Sequence, residues 1–283
     1  MATPTNDRSS NFFRIASFAL LDTLIMILKD KKILITGLLS KNSIAYGIAE
    51  SLYKQGAYLA FTYQLSELES RVKKIAKEFG SELVFQCDVS DDKQITDVFI
   101  DLTKDWERFD GIVHSIAFCT PDAFTGKYVD SVTRENFRVA HDISSYSLAA
   151  LTKAALPMLN QGSSILAISY DGSNKSVPGY NVMGLAKASL ESNVRYLAND
   201  LGPMDIRVNC ISAGPHKTFA TMHSPVIDKS LENYRKYSPI RRNVTTDEIG
   251  DAAAFLLSDL ASAVTGHLLY VDGGYSIVDN YTQ

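Results

Sequence analysis

Cysteine is scarce in this chain of 283 residues, which holds only three: Cys87, Cys119 and Cys210. They lie far apart, and none belongs to a Cys-x-x-Cys pair. A disulfide framework or a zinc site is therefore not expected, and we expect no bound metal. Such sparse cysteine usage is typical of a reducing compartment, so we expect a cytoplasmic protein.

An excess of basic residues is also missing. The chain has 28 Lys and Arg against 32 Asp and Glu, a net charge of −4 at pH 7. Nucleic acids and anionic membranes attract proteins with excess positive charge, so neither is an expected partner. The hydrophobic share of 46% is ordinary for a globular protein. The length fits one large domain or two small ones.

No apolar run near the N-terminus is long enough to span a bilayer. The run from residue 15 to 28 is interrupted by Asp22, whereas a membrane helix needs about 20 consecutive apolar residues. The same Asp22 argues against a signal peptide. We treat residues 1–30 as an N-terminal extension, either disordered, a surface helix or a stretch ahead of a true start at Met26. Organelle targeting by this extension stays open.

Short buried-strand patterns alternate with amphipathic helical patterns from Lys31 onward. Strands that are apolar on both faces and separated by helices indicate a parallel sheet covered on both sides. Right-handed crossovers then predict one α/β domain over residues 31–283, a Rossmann-like doubly wound parallel sheet with helices on both faces. The predicted strands are 33–36, 58–63, 83–87, 111–117, 164–169, 206–211 and 268–271, and the two long helices are 137–160 and 183–201.

The turn after the first strand is the first candidate cofactor site. It runs from Gly37 to Gly47 and contains no Gly-x-Gly-x-x-Gly pattern. At this place in a doubly wound sheet, backbone N–H groups and a helix N-terminus point to one spot, which suits a pyrophosphate. Gly37, Ser43 and Ile44 are therefore candidate cofactor-binding residues, with the Ser43 hydroxyl as an added donor.

Gln64 ends the second strand, where the residue that meets the adenosine ribose normally lies. Its amide can hydrogen-bond ribose hydroxyls. No Lys or Arg follows immediately to pair with a 2′-phosphate. The sequence therefore favours NADH over NADPH.

The stretch from Ser169 to Lys187 carries the strongest signal in the chain. Tyr180 and Lys187 are seven residues apart, so on a helix their side chains return to within about 20° of one direction. The pattern Tyr-x3-Lys is absent, because Met183 stands four residues before Lys187. A further tyrosine, Tyr170, lies ten residues before Tyr180. By spacing alone, Tyr180 and Lys187 are also compatible with ordinary helix-face residues.

Together these features resemble the short-chain dehydrogenase/reductase superfamily, and within it the enoyl-[acyl-carrier-protein] reductases of the FabI type. The pattern Tyr-x6-Lys with a second tyrosine ten residues earlier is the most specific part. The resemblance extends from about Lys31 to the last strand. It rests further on the segments Cys87-Asp88-Val89, His114-Ser115-Ile116-Ala117 and Val271-Asp272-Gly273-Gly274.

The resemblance implies NADH-dependent reduction of the trans-2 double bond of enoyl-acyl-carrier-protein thioesters in type II fatty acid elongation. Tyr180 would donate a hydrogen bond to the thioester oxygen as negative charge develops there. Lys187 would hold the nicotinamide ribose, and Tyr170 would line the acyl pocket. It also implies further contacts, to the substrate by Cys119 and to the cofactor by Asp88, Val89, Ser115, Ile116, His216, Thr218, Phe219 and Ala220.

A substrate-binding loop over residues 216–237 is implied as well, and here the chain departs from the family pattern. His216 stands where an aliphatic residue is common, Asp171 where Leu is usual, and Cys119 where Ala is typical. Ser230 makes the loop more polar than normal. We expect His216 to contact the cofactor through its backbone. These departures leave acyl-chain preference and inhibitor binding open.

Partners also follow from the resemblance, which implies an acidic acyl carrier protein and a homotetramer packed through the two long helices. Lys217, Arg241 and Arg242 are candidate members of a basic docking patch. Two other functions stay open. One is a carbonyl reductase of the same superfamily, which the missing Tyr-x3-Lys disfavours. The other is a catalytically silent nucleotide-sensing module, which the intact tyrosines and lysine disfavour.

Overall fold

The computed structural model of the chain describes residues 26–218, 221 and 226–279. The sequence-based expectations for Phe219, Ala220 and residues 1–25 fall outside these described residues. In the described ranges, no helix has both the length and the apolar content needed to cross a membrane.

Seven parallel strands form one sheet in the order β3-β2-β1-β4-β5-β6-β7. The predicted doubly wound parallel sheet is confirmed. The strand order reverses between β1 and β4, so a crevice opens at their carboxyl ends, where such folds bind ligands. The strands are β1 (Lys32–Ile35), β2 (Tyr58–Tyr63), β3 (Val84–Gln86), β4 (Phe109–His114), β5 (Leu159–Ser169), β6 (Arg207–Ala213) and β7 (Leu268–Val271).

Helices cover both faces of this sheet. Strand β1 shows why, since Ile33 and Ile35 pack into one buried cluster and Leu34 packs into the other. A strand buried on both faces needs a helical layer on each side. The helices are α1 (Ile44–Lys54), α2 (Glu69–Glu78), α3 (Asp92–Leu102), α4 (Tyr128–Ser131), α5 (Arg134–His141), α6 (Ser147–Ala155), α7 (Val182–Leu201), α8 (Ile227–Tyr237) and α9 (Thr246–Leu257).

The long helix predicted over residues 137–160 is wrong in its extent. The structure divides it into α5, a π-helical turn (Asp142–Tyr146) and α6, which ends at Ala155. Pro157 follows in a short 3-10 turn, because proline lacks the N–H that an α-helix needs. Strand β5 then begins at Leu159, five residues before the predicted start.

Strand β4 also ends earlier than predicted, at His114 instead of residue 117. The Thr36 hydroxyl donates to the Val113 carbonyl oxygen (3.0 Å) and accepts from the Ser115 backbone N–H (3.3 Å). The Thr36 hydroxyl thus replaces the next backbone–backbone hydrogen bond between β1 and β4. The backbone after His114 can therefore turn away from the sheet. The predicted helix over 183–201 is confirmed as α7 within one residue.

A glycine pair permits very close packing of α1 on α9. A Cβ atom on Gly250 would overlap the carbonyl oxygen of Gly47 and lie 2.5 Å from the Ser51 Oγ. A Cβ on Gly47 would lie 2.5 Å from atoms of Thr246. Because α1 begins at the candidate cofactor turn, this packing fixes where that turn lies.

We expect Gly250→Ala to lower the free energy of unfolding by about 1–3 kcal/mol, since the added methyl must push α1 and α9 apart. Denaturant unfolding measures the change. Gly202→Ala is the control, because its Cβ meets nothing within 4 Å and its backbone is helical (φ −54°). Equal losses in the two variants would contradict the close-packing explanation.

Candidate active site

The crevice between β1 and β4 brings together two predicted cofactor residues, Gly37 and Ser115. Gly37 has a φ of +83°, and a Cβ there would overlap the Ser115 carbonyl oxygen. Only glycine satisfies both conditions. The turn therefore lies directly against the end of β4, and the backbone at the start of α1 faces the crevice.

Ser43 contributes to this turn differently from the prediction. Its hydroxyl donates to the Ser40 carbonyl oxygen (2.6 Å) and accepts from the Tyr46 backbone N–H (3.2 Å), so it caps α1. The cap orders the first turn of the helix. The donors offered to an anion are then backbone N–H groups at the start of α1, beginning with that of Ile44.

Gln64 and Asp88 meet at the neighbouring carboxyl ends of β2 and β3. The Gln64 side-chain amide donates to an Asp88 carboxylate oxygen (3.1 Å), and the Ser90 hydroxyl donates to the other (2.7 Å). Burial opposes ionisation of Asp88, but hydrogen bonds from Ser90 and Gln64 outweigh it and lower its pKa. An anionic carboxylate beside Gln64 repels a 2′-phosphate, which agrees with the preference for NADH.

The side chains of Val89 and Ile116 pack in or against the core, whereas the resemblance implies that both residues contact the cofactor. The Val89 side chain is buried in the core on one face of the sheet, and Ile116 packs against the same core. Only their backbone, or in Ile116 the exposed part of its side chain, is available to a ligand.

Lys187 is a buried amine tied to the end of β5. Its side chain is 5% exposed, and its Nζ donates to the Ile168 carbonyl oxygen (2.7 Å). Burial lowers its pKa to about 8, while nearby Glu191 and Cys210 act in the opposite direction. Lys187 is therefore largely cationic at neutral pH in a setting of low dielectric.

Glu191 is a site residue that the sequence-based prediction missed. It lies one turn beyond Lys187 on α7, and its carboxylate accepts from the Ser169 hydroxyl (2.5 Å). Two successive residues of β5, Ile168 and Ser169, are thus bonded to two α7 residues one turn apart. The spacing of four residues between Lys187 and Glu191 was a signal for a shared helix face.

Tyr180 lies outside the helix, which corrects the expectation that it and Lys187 occupy one helix two turns apart. Helix α7 begins at Val182, because Asn181 has a positive φ (+48°) with a ψ of −127°, which an α-helix cannot contain. The Asn181 amide donates to the Ala123 carbonyl oxygen (3.1 Å) and the Ser131 hydroxyl (3.0 Å), which stabilise this unusual backbone.

Tyr170 and Tyr180 are in direct contact. Their rings meet edge to face, with centroids 5.0 Å apart and an interplanar angle of 70°. A Cβ on Gly172 would lie 2.6 Å from the Tyr180 ring, so glycine makes room for it. Burial raises the pKa of both phenols. Both therefore stay protonated at neutral pH and can donate hydrogen bonds.

Cys119 lies in a small apolar cluster beneath Tyr180, together with Ala123 and Met183. Burial raises the pKa of its thiol to about 12. The side chain is therefore a protonated, compact apolar group in the cluster against which Tyr180 packs.

His114 and His216 are both poor candidates for acid–base chemistry. His114 is fully buried against the Ser147 hydroxyl (2.7 Å), and burial together with the charge of Lys187 lowers its pKa to about 3. Burial also lowers the pKa of His216, whose ring contacts the Gly214 carbonyl oxygen (2.9 Å). Thr218 donates its backbone N–H to the Thr221 hydroxyl (2.8 Å), which closes the start of the predicted loop on itself.

Helix α8 forms the described end of the predicted substrate-binding loop, and the residue just before it packs against the segment that leads into Tyr180. A Cβ on Gly179, next to Tyr180, would lie 2.5 Å from the Val226 side chain just before α8. Burial raises the pKa of Tyr170, while nearby Ser230 and Tyr234 act in the opposite direction. Neither Ser230 nor Tyr234 was predicted as a site residue, because contacts between distant segments leave no local pattern.

Comparisons with known proteins agree on one family. A family model described as "Enoyl-(Acyl carrier protein) reductase" matches residues 37–276. The chain is 55% identical over 251 residues to "Enoyl-[acyl-carrier-protein] reductase [NADH] FabI" of Neisseria meningitidis serogroup B, covering 88% of this chain and 96% of that protein. The FabI of Escherichia coli K12 is 52% identical over 250 residues, covering 88% and 95%.

A solved structure agrees with these sequences. The crystal structure of enoyl-[acyl-carrier-protein] reductase (NADH) from Aquifex aeolicus VF5 superimposes with a TM-score of 0.86 at 47% identity. The match covers 89% of this chain and 99% of that one.

We expect Glu191→Gln to lower the pKa of Lys187 below about 8, because it removes a negative charge that favours the cationic amine. The pH dependence of the acylation rate of the Lys187 amine, followed by mass spectrometry, measures this pKa. The control is Glu135→Gln, a surface carboxylate that pairs with Arg138 (2.7 Å). A Lys187 pKa that stays the same in Glu191→Gln would show that the two charges are not coupled.

Proposed function

The chain belongs to the enoyl-(acyl carrier protein) reductase family, and on that premise we propose that it reduces the trans-2 double bond of enoyl-acyl-carrier-protein thioesters with NADH. The reaction belongs to type II fatty acid elongation. One observation supports it most: two protonated phenols touch, one just after β5 and one just before α7, and the buried Lys187 amine of α7 is bonded to the end of β5. This arrangement stabilises negative charge that develops on an oxygen atom.

The residues of the crevice fit a dinucleotide. The α1 N-terminus offers backbone donors to a pyrophosphate, and Gln64 offers an amide to the adenosine ribose. The Lys187 amine lies at the carboxyl end of β5, where it can donate to the nicotinamide ribose. Bound NADH would supply the hydride that adds to the β carbon of the substrate.

Tyr180 stabilises the charge that the hydride addition creates. As the β carbon accepts the hydride, electron density moves to the thioester oxygen, and the Tyr180 hydroxyl donates to that oxygen. The hydrogen bond strengthens as charge develops, so it lowers the transition state more than the ground state. The cationic amine of Lys187, which is buried at the end of β5, would add a favourable potential for this charge.

Tyr170 and the floor around Cys119 shape the acyl pocket. Tyr170 packs its ring edge to face against Tyr180, so it can line one side of the pocket that holds the thioester. Met183, which stands four residues before Lys187, is 3% exposed and has no proton to donate. This argues against a carbonyl reductase that uses a tyrosine at that position.

The predicted basic docking patch for the acyl carrier protein has little support. Arg242 pairs with Glu248 (2.6 Å), and Lys217 pairs with Asp228 (2.5 Å), so their charges are largely balanced locally. Arg241 donates to the backbone. We keep the acyl carrier protein as the substrate carrier on the basis of the family, without assigning its docking surface to these residues.

A homotetramer and a cytoplasmic location are also part of the proposal. The segments predicted to form the subunit interface carry exposed apolar side chains, namely Phe137 and Tyr146 on one segment and Leu185 and Tyr196 on α7. Exposed aromatic patches of this kind are typical of protein interfaces. The three cysteines are buried and free, which fits a reducing compartment.

We expect the purified protein to oxidise NADH with crotonyl and longer enoyl thioesters and to ignore a panel of ketones. Tyr180→Phe should lower kcat by roughly 10²–10³-fold, the usual cost of losing one oxyanion donor. Lys187→Ala should weaken NADH binding and lower kcat. Loss of NADH absorbance measures all of these rates.

The control for these variants is Tyr58→Phe, an exposed tyrosine far from the crevice at the start of β2. It should behave as the unmodified protein. Turnover of ketones but not of enoyl thioesters would indicate the carbonyl reductase instead. NADH binding without consumption of any thioester would indicate a nucleotide-sensing module.

We expect Tyr196→Glu to dissociate the tetramer, because it places a charge on the proposed interface, where the tyrosine is 73% exposed in the single chain. Sedimentation velocity at micromolar concentration measures the assembly. Leu260→Glu is the control, since Leu260 is 67% exposed outside these helices. A monomeric unmodified protein would overturn the tetramer.

A further inference from the structure

A short turn between the two tyrosines lies against both of their rings. This tyrosine turn runs over Asp171–Ser173, directly after Tyr170. A Cβ atom on Gly172 would lie 2.6 Å from the Tyr180 ring and 3.2 Å from the Tyr170 ring. The Gly172 carbonyl oxygen packs on the first turn of α7, where a Cβ on Gly184 would lie 2.6 Å from it. The position of the tyrosine turn therefore sets the positions of both phenols.

Lys175 connects the tyrosine turn to a distant part of the chain. Its ammonium pairs with the Asp171 carboxylate (3.4 Å) and donates to the Ser276 carbonyl oxygen (2.7 Å). Its backbone N–H donates to the Asp171 carbonyl oxygen (3.0 Å), so Lys175 holds Asp171 through both its side chain and its backbone. One ammonium group thus bridges two segments that lie 101 residues apart in sequence.

The far end of this bridge is a well-anchored turn after β7, formed by residues 272–276, which we call the β7 turn. The Asp272 carboxylate accepts from the backbone N–H groups of Gly274 and Ser276 (2.8 Å each). A Cβ on Gly274 would lie 2.8 Å from the Pro239 side chain, so the turn is also closely packed. Both backbone groups of Ser276 therefore have side-chain partners, its N–H in Asp272 and its carbonyl oxygen in Lys175.

Asp171 depends on this cation because its carboxylate is buried. The residue is 3% exposed, and its Oδ1 atom has no hydrogen-bond partner among the residues that the structure describes. Burial raises the pKa of Asp171, Lys175 acts in the opposite direction, and Asp272 adds to the rise. Removal of one partner from a buried ion pair is costly, because it leaves an uncompensated charge in the core. The Lys175 side chain itself is 41% exposed, so replacing it leaves the core closed.

We propose that Lys175 is a positioning residue that ties the tyrosine turn to the β7 turn and so holds Tyr170 and Tyr180 in place at the thioester. It acts through Asp171 and Gly172 and need not touch the substrate. A donor to a developing oxyanion is effective only when it is aligned beforehand, so a small displacement of the turn lowers the rate. The inference rests on the proposed function and deepens it, because it assigns the alignment of the phenols to an ion pair outside the reacting groups.

Lys175→Met tests the inference, because methionine keeps a long unbranched side chain and removes the ammonium. We expect kcat for an enoyl thioester to fall by about threefold to tenfold, the range of one net hydrogen bond. The dissociation constant for NADH should stay the same, because the crevice between β1 and β4 is untouched. Lys175→Arg should keep most of the rate, since it retains a cation that can donate to both partners.

Three results of these measurements would overturn the proposal. They are an unchanged kcat in Lys175→Met, a loss confined to NADH binding, and equal losses in Lys175→Met and Lys175→Arg. The matched control is Lys104→Met, which removes the same group from a surface pair with Asp101 (2.6 Å) just after α3. We expect its kcat to equal that of the unmodified protein. A loss as large as that of Lys175→Met would contradict the proposal.

A double-mutant cycle with Asp171→Asn tests the ion pair itself. We expect Lys175→Met to lower the thermal unfolding midpoint more in the unmodified protein than in Asp171→Asn, where no buried carboxylate is left uncompensated. Equal shifts of the midpoint in the two backgrounds would overturn the pairing of Asp171 with Lys175.

Hydrogen exchange in the resting protein separates this inference from the proposed function. Lys175→Met should speed amide exchange in both the tyrosine turn and the β7 turn, because it removes the contact that joins them. Lys175→Arg and Lys104→Met should leave this exchange unchanged. If no enoyl thioester is consumed, the proposed function fails, while exchange still decides whether Lys175 ties the two turns together. Unchanged exchange in Lys175→Met would overturn the inference.

Discussion

The hydrogen bond from the buried Lys187 amine to the Ile168 carbonyl oxygen is the contact on which the rest of the site depends. Burying a cation costs free energy unless the cation has a partner. This hydrogen bond and the nearby Glu191 carboxylate offset the cost of burying the Lys187 amine. Together they fix α7 against the end of β5. This packing also determines where both tyrosines lie, because Tyr170 directly follows β5 and Tyr180 lies two residues before α7.

The sheet was predictable because its signals are local. Ile33, Leu34 and Ile35 are apolar on both faces, and this pattern alone indicates a strand between two helical layers. All seven strands were predicted, with shifts of a few residues at their ends. The helix over 137–160 was overextended, because the periodicity was followed through Pro157 into residues that pair in β5.

The sequence predicted candidate site residues, but it did not predict their geometry. The spacing of Tyr170, Tyr180 and Lys187 identified the family, but it placed Tyr180 on a helix that the positive φ of Asn181 excludes. The Ser43 hydroxyl, which is predicted to meet the cofactor, caps α1 in the structure. The spacing of Glu191 from Lys187 indicated a shared helix face, but its hydrogen bond to Ser169 joins segments distant in sequence and could not be predicted from that spacing.

The setting of Cys119 has a consequence for the chemical durability of the pocket. Peroxides and electrophilic compounds react with the thiolate, and a thiol with a pKa of about 12 supplies almost none at neutral pH. The sulfur is also shielded, since the residue is 6% exposed. A cysteine directly beneath the proposed oxyanion donor can thus persist through oxidative stress without becoming a site of inactivation.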